Sequence, residues 1–444
     1  TQGKTPGRHK HRAFSEVARQ HEAMQNTGCP LHQDQIGPLI DLLLDPQGIS
    51  YDDLIHGKQA WQQIRNQYFE ACTAPAFTHY FWTVRTIHGP IFKLAEIAAE
   101  IPPARVYHAI STGYAGFLGT MLHRLHQRPF FITEHGIYTK EREIDLAQVS
   151  WIPEEEKFLD TGIDARMSYL RELWMRFFHT LGRMAYGSAN PIISLYGGNR
   201  ERQIKDGAPS GQTKVIPNGI NLTTLSALRR PHDADIPPVL GLIGRIVPIK
   251  DIKTFIRALR IICNQQPETQ GWLVGPEEED PEYVHECKML VQNLGLTNNV
   301  KFLGFQKLED ILPKLGLMVL TSISEGQPLV VLEGFAAGIP VVTTDVGSCR
   351  ELVEGGKLED RQLGTAGRVV PIANPGETAA ACLDLISDPK VWYQAQKTAI
   401  ARVEKFYNET QLFERYHHIY TDILAQSSAE LSTPYLEPAS RGDR

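Results

Sequence analysis

The chain has 444 residues, 42% of them hydrophobic and 22% charged, and its formal net charge is −6. That length is too great for one ordinary core and predicts two domains of roughly 200 residues each, with the composition of a soluble globular enzyme. Nothing in the charge balance suggests a nucleic-acid footprint, a cationic membrane patch is not evident, and no run of about 18 or more apolar residues exists to span a bilayer.

Thr1 to His11 is polar, basic and glycine-bearing. It reads as a tag or flexible segment, or as the start of a chain that has lost its true beginning. Residues 12–100 have a helical pattern, clearest at Pro38–Leu44 and Ile91–Ala98, where apolar residues recur at helical spacing. Short apolar runs follow, each ending in a polar or glycine-bearing turn: Ala104–Ile110, Phe130–Thr133, Ile192–Leu195 and Lys214–Ile216, with a helix over Met167–Ala185. The second half repeats this rhythm. Strands are predicted at Val239–Ile243, Gly271–Val274, Val300–Leu303, Leu317–Leu320 and Pro340–Thr343, with helices at Ile252–Gln265 and Pro281–Leu294 between them. Strands alternating with helices predict α/β architecture with parallel, doubly wound sheets. Leu228–Pro238 is polar, carries three prolines and is expected to be the interdomain linker. Residues 426–444 are rich in Ser, Pro and Glu and are expected to form a disordered tail. The six cysteines, Cys29, Cys72, Cys263, Cys287, Cys349 and Cys382, form no Cys-x-x-Cys pair and read as reduced thiols of a cytosolic protein.

In open parallel sheets ligands bind beyond the carboxyl ends of the strands, so two facing sheets would place a site in the cleft between them. The sharpest such loop is Glu325-Gly326-Gln327-Pro328-Leu329-Val330-Val331-Leu332-Glu333, which follows the apolar run Leu317–Leu320 and opens a helix. Pro328 suits a first helical turn, and the free N–H groups of Gln327, Leu329 and Val330 would face whatever anion sits there. Glu325 and Glu333 suit the vicinal hydroxyls of a sugar or ribose; the plainer alternative is a solvated helix cap and face. Gly244-Arg245, with Lys250 close behind, likewise follows a strand and opens a helix. The Arg245 fork and the Lys250 point charge can converge on a diphosphate, although either could be an ordinary surface cation. Val215-Ile216-Pro217-Asn218-Gly219-Ile220 reads as a turn at the domain edge. In the first half, Thr133-Glu134-His135-Gly136-Ile137-Tyr138 ends a strand. Gly136 would allow close backbone approach, and His135 could bond a sugar hydroxyl or an acceptor. His108 and the Thr112-Gly113-Tyr114 turn read as residues packed against neighbours, with cleft lining the alternative. Asp233 and Asp235 have Asp-x-Asp spacing but sit in the expected linker and read as solvated loop. Gly197-Gly198 and Gly355-Gly356 read as turn glycines.

Gly244-Arg245 with Lys250, the pair Glu325 and Glu333, and Ile216-Pro217-Asn218-Gly219 together resemble the family 4 retaining glycosyltransferases of GT-B fold, across most of residues 104–425. A narrower likeness, to the cytosolic glycosyltransferases of the Pel exopolysaccharide pathway, is carried by Thr133–Tyr138, by Gly113-Tyr114-Ala115-Gly116, and by Tyr196-Gly197-Gly198-Asn199-Arg200 with Gln203 and Gly207. The resemblance implies two Rossmann-like domains with facing sheets: an acceptor-side domain over residues 1–227, a linker over 228–238, a nucleotide-sugar domain over 239–408, and a crossover helix over 409–425. It implies that Arg245 and Lys250 hold the diphosphate beside Gly244, and that Glu333 binds the ribose. Glu325, next to Gly326, would bind the donor sugar. N–H groups near Leu329 and Val330 would touch phosphate, Phe305 would lie near the base, and His135 would sit beside the donor sugar. Members of that family open with a strand and a Gly-Gly loop. Neither occurs in the first hundred residues, so the N-terminal domain is expected to lack its first strand–loop–helix units.

The expected chemistry is transfer of a sugar from a nucleotide diphosphate sugar, which the resemblance makes a UDP-sugar such as UDP-glucose, onto a growing exopolysaccharide. The anomeric configuration would be retained and no metal or other cofactor would be needed. Expected partners are the donor, a glycan acceptor and inner-membrane synthesis and export proteins, with the chain cytoplasmic and free of nucleic acid. Two alternatives remain: a sugar-nucleotide epimerase, and a non-catalytic nucleotide-sugar-binding subunit of a synthesis complex.

Overall fold

The computed structural model describes residues 13–18, 33–71, 76–148, 169–231 and 235–432. The chain forms two compact units. The first holds the described residues as far as Ser194, Arg200–Lys214, and those from His418 on; the second holds Leu195–Asn199 and Val215–His417.

The first unit begins with helices: α1 (Gln33–Leu44), α2 (Tyr51–His56), α3 (Lys58–Ala71) and α4 (Phe77–Glu100). Helix α4 buries Tyr80, Val84, Ile87, Ile91, Ala95 and Ala98, a single face at steps of three and four residues. Then come β1 (Tyr107–Ala109), α5 (Gly113–His126), β2 (Phe130–Glu134), α6 (Tyr138–Gln148), α7 (Tyr169–Ser188), β3 (Ile192–Ser194), α8 (Gly197–Lys205) and β4 (Thr213–Val215). The four strands form one sheet in the order β1-β2-β3-β4, with β1, β2 and β3 parallel. Glycines on α5 permit the close layering: a Cβ at Gly116 would sit 2.9 Å from that of Ala185 on α7, and one at Gly119 would run into the Phe130 ring of β2. Among the described residues no strand precedes β1, and no helix is long and apolar enough to cross a membrane.

The second unit contains α9 (Leu222–Ser226), β5 (Val239–Ile243), α10 (Ile252–Gln265), β6 (Gln270–Val274), α11 (Pro281–Asn293), β7 (Val300–Gly304), α12 (Leu308–Ile311), β8 (Leu317–Leu320), α13 (Leu329–Ala336), β9 (Val341–Thr344), α14 (Cys349–Glu354), α15 (Leu358–Arg361), β10 (Gly367–Val370), α16 (Pro375–Ser387) and α17 (Pro389–Phe406). Its sheet is parallel in the order β10-β9-β8-β5-β6-β7. Strand β8 is buried at all four positions, as a central strand covered on both faces must be. Strand β10 is absent from the sequence reading, because Gly367 and Arg368 interrupt its apolar run and it lies on the sheet edge. The strand order reverses between β5 and β8. That switch point opens a crevice where the loops after both strands diverge.

The Leu228–Pro238 stretch is not a free linker. Arg229 donates to the Ala336 carbonyl (2.9 Å) and pairs with Glu404 (2.7 Å), and Arg230 donates to the Pro313 carbonyl (2.8 Å). Two arginines thus anchor a proline-rich segment along the second unit; Asp233, of the Asp-x-Asp pair, lies outside the described residues. The expected tail is also corrected: α18 runs Glu409–Ser432, begins in the second unit and ends in the first. Residues 433–444 lie outside the described residues, as do Cys29 and Cys72. Cys263, Cys287, Cys349 and Cys382 are free and buried.

Candidate functional site

The crevice of the second unit is built from three loops that glycine lets lie close together. The Gly244 amide donates to the Val274 carbonyl (2.8 Å), and a Cβ on Gly275 would overlap the Gly244 carbonyl oxygen. The Gly275 amide in turn donates to the Gly304 carbonyl (2.9 Å). The β5, β6 and β7 loops therefore stack edge to edge at the carboxyl end of the sheet. Beyond Arg245 the chain makes a 3-10 turn at Pro248–Lys250, and Asp251, left-handed at φ 44, caps α10 through Thr254 N (3.3 Å). Thr321, just past β8, donates to the carbonyls of Lys250 (3.0 Å) and Asp251 (2.9 Å), while Ile323 N reaches the Ile249 carbonyl (2.8 Å). The loop carrying Lys250 is thereby stitched to the loop carrying Glu325.

The consequence is an ion pair across the switch point. Lys250 Nζ lies 2.5 Å from Glu325 Oε1, which also accepts from Ser322 Oγ at 2.6 Å. The two side chains are 17% and 11% exposed, so water screens the pair only partly. Glu325 and Gly326 are held from below: a Cβ at Gly347 would overlap both of their carbonyl oxygens, and Ser348 N donates to Gly326 O (2.9 Å). Gln327 is 7% exposed; its Oε1 accepts from Asn218 N at 2.7 Å. The Ile216-Pro217-Asn218-Gly219 turn is thus a strut beneath this loop as well as a bend in the chain.

Pro328 is the cap of α13 and not part of its first turn, because its ψ of 111 is extended. Leu329 and Val330 open the helix, where amide groups lack partners within the helix. Glu333 sits half-buried one turn further on. Its side chain makes no hydrogen bond or ion pair among the described residues, and burial pushes its carboxyl above the ordinary value. Arg245 does not join Lys250 and Glu325. Its Nη1 donates to Glu279 Oε1 (2.6 Å) and Oε2 (2.8 Å) on the loop after β6, and its side chain is 54% exposed. Phe305 is 80% exposed at the end of β7, following Gly304 at φ +62.

In the first unit the centre of the Thr133–Tyr138 segment is Glu134, which the sequence reading passed over for its neighbour. Its side chain is fully buried, yet it accepts from Thr112 Oγ1 (2.9 Å), Tyr186 OH (2.5 Å) and Gln203 Nε2 (2.9 Å). Burial pushes its carboxyl up, and those bonds, with the Tyr138 backbone amide, pull against that shift. A charged residue closing the apolar run Phe130–Thr133 was the available signal, because such a group needs partners. His135 follows it, exposed, with its pKa lowered by partial burial. At Gly136 a Cβ would meet the carboxylate end of the Glu141 side chain. His108 is a packed residue, stacked on Phe131 (3.9 Å between centroids) and bonded to Tyr420 OH (2.8 Å) and Thr133 Oγ1 (2.9 Å). Burial, then the charge of His135, lower its pKa to about 4. Gly113, at φ +60, starts α5 where a side chain would strike the Tyr138 ring. Gly197 and Gly198 open α8 and are not turn glycines; Gly355, at φ +94, does end α14 as one. Among the described residues no group of three or more His, Cys, Asp or Glu is arranged to hold a metal ion.

Known structures with this architecture decide the fold. It is GT-B. Anabaena HepE in complex with UDP and glucose superposes with a TM-score of 0.57 at 21% identity, covering 76% of this chain and 83% of that one. The sucrose-phosphate synthase of Thermosynechococcus elongatus gives 0.55 at 20% identity, over 80% and 81%. By sequence, residues 237–388 match the family Glycosyl transferases group 1, and residues 1–211 match a domain of unknown function (DUF3492). The D-inositol 3-phosphate glycosyltransferase of Streptomyces avermitilis is 27% identical over 217 residues, which are 45% of this chain and 44% of the relative. A second such enzyme, from Catenulispora acidiphila, is 27% identical over 239 residues, 49% and 50%. The chain spans about half the length of the curated relatives it matches.

Proposed function

We propose that the chain is a retaining hexosyltransferase that moves sugar from a nucleoside diphosphate donor, a UDP-sugar, to a glycan. The observation that carries this reading is the Lys250–Glu325 pair at the β5/β8 switch point, beside a helix start and Glu333, which has no partner among the described residues. The solved complexes of HepE with UDP, with UDP and glucose, and with UDP-glucose support UDP and glucose as donor chemistry. In the proposed complex Lys250 exchanges Glu325 for diphosphate oxygen, Arg245 exchanges Glu279 for the same group, and the amides of Leu329 and Val330 complete the anion cradle. Glu325 then accepts from donor-sugar hydroxyls, Glu333 from the ribose, and Phe305 lies by the base.

Charge grows on the diphosphate as the anomeric bond breaks, and preset cations and amides lower that barrier without a metal. Retention follows a front-face course in which the departing phosphate oxygen takes the acceptor proton. The finer proposal is a PelF-like role: extension of a Pel-type exopolysaccharide in the cytoplasm, with inner-membrane synthesis and export proteins as partners. The likeness at Thr133–Tyr138 and at Tyr196–Arg200 supports it.

The test is calorimetry with UDP and transfer assays across a panel of UDP-sugars, for the unmodified protein and Arg245→Ala. The expected result is binding and transfer by the unmodified protein, with kcat/KM lowered by roughly 10- to 100-fold in the variant, the worth of one charged hydrogen bond. Unchanged transfer by Arg245→Ala would remove it from the diphosphate site.

A further inference from the structure

Beside the donor loop, within the same unit, lies a cavity of about 620 Å³ whose walls include Tyr196, Asp345, Gly347, Arg350, Glu351 and Arg361. Its place in the fold follows from the sheet. Asp345–Gly347 leave the carboxyl end of β9, the neighbour of β8, and Asp345 N is tied to the Val370 carbonyl (2.9 Å). Gly347 is the shared wall, since a side chain there would overlap the backbone of Glu325 and Gly326. The cavity therefore adjoins the loop assigned to the donor sugar.

The chemistry of the walls narrows the ligand. Three carboxylates, Asp345, Glu351 and Glu354, face two guanidinium groups, Arg350 and Arg361, so the formal charge is −1. That balance disfavours phosphate, and no group of metal-ligating side chains among the described residues is arranged to hold a cation. Arg350 donates to Asp345 (2.6 Å) and to Glu354 (2.9 Å), so its guanidinium fork joins two carboxylates. Arg350 is 52% exposed, so those bonds are screened and exchange for ligand hydroxyls at small cost. Forked, bidentate groups lining a cavity of this size match the vicinal hydroxyls of a saccharide.

We infer that this cavity is an acceptor subsite, in which the nucleotide-binding unit itself holds saccharide residues of the glycan being extended. The inference rests on the glycosyltransferase reading and specifies where that enzyme's second substrate is gripped. It also gives Tyr196 and the Asp345–Glu354 segment a role separate from the donor.

The experiment uses the full chain preloaded with UDP on a printed array of neutral, amino and acidic di- to tetrasaccharides, with UDP affinity measured in parallel. Variants are Arg350→Ala, the double variant Arg350→Ala/Glu354→Ala, and Arg350→Lys. Capture of the unmodified protein by at least one saccharide is expected, weakened about tenfold or more in the alanine variants and partly restored in Arg350→Lys, while the Kd for UDP stays within about twofold. Saccharide capture unaffected by the variants, or no capture by a protein that binds UDP, would overturn the subsite. Failure of the unmodified protein to bind UDP would instead refute the donor-site reading beneath it.

Discussion

Replacing Lys250 by Met leaves the Glu325 carboxylate with Ser322 as its sole remaining partner among the described residues, in a position 11% exposed. At 2.5 Å the gross attraction of the pair is roughly 6–7 kcal/mol with an effective dielectric constant near 20, and desolvation of both ions offsets most of it. Removing one partner keeps the desolvation cost and loses the attraction. For a fully buried pair that costs about 3–5 kcal/mol, and the residual water access here lowers the expected loss to about 1–3 kcal/mol. Lys250→Met/Glu325→Gln removes both charges and is expected to recover most of that loss. UDP binding should fall by roughly 10- to 100-fold in both variants, because neither restores a cation to the diphosphate. Urea unfolding of the single and double variants measures the coupling, and calorimetry measures the nucleotide. A single variant as stable as the parent, or a double variant no better than the single, would refute the picture of a desolvated pair. Undiminished UDP affinity in both would remove Lys250 from the donor site.

Glu134→Gln should cost about 2–4 kcal/mol in urea unfolding, since an amide NH₂ then faces one of several groups that now donate to a carboxylate; a loss under about 0.5 kcal/mol would show that the network tolerates a neutral centre. His108, held neutral down to about pH 4, gives a pH signature. Between that value and its ordinary 6.5 the unfolded chain binds more protons than the folded one, so this stabilisation is complete above pH 6.5 and is lost as pH falls through about 4. The shift sets an upper bound of roughly 3 kcal/mol, which partial solvent access reduces to about 1–2 kcal/mol. Unfolding free energies at several pH values should therefore flatten in His108→Gln; an unaltered profile would place the titration elsewhere. His135, shifted in the same direction, adds to the slope with the same sign.

The sequence located the central elements well where burial and period coincide. Val239–Ile243 and Leu317–Leu320 are read to the residue, because strands covered on both faces are nearly all apolar and end where polar loops begin. Edge and half-exposed elements were harder. β10 carries Gly367 and Arg368, and α18 continues through a serine-rich segment that composition alone assigns to a tail. Proline content also misled at Leu228–Pro238, where Arg229 and Arg230 decide the path by bonding carbonyls about 80 to 110 residues away. Polar partners across such separations have no period and leave no local trace.

What the amino-acid order determined by itself is the α/β alternation, the loops that carry Arg245, Lys250, Glu325 and Glu333, and the glycines that let those loops approach. These depend on residues near in sequence: apolar period, turn chemistry and the absence of a Cβ. Only the tertiary structure decided the pairings. It joined Lys250 to Glu325, turned Arg245 to Glu279, left Glu333 without a partner among the described residues, and buried Glu134 under donors from three separate elements. Such choices are made by strand order: the reversal between β5 and β8 sets loops about 75 residues apart side by side, and desolvation there selects which charges must meet.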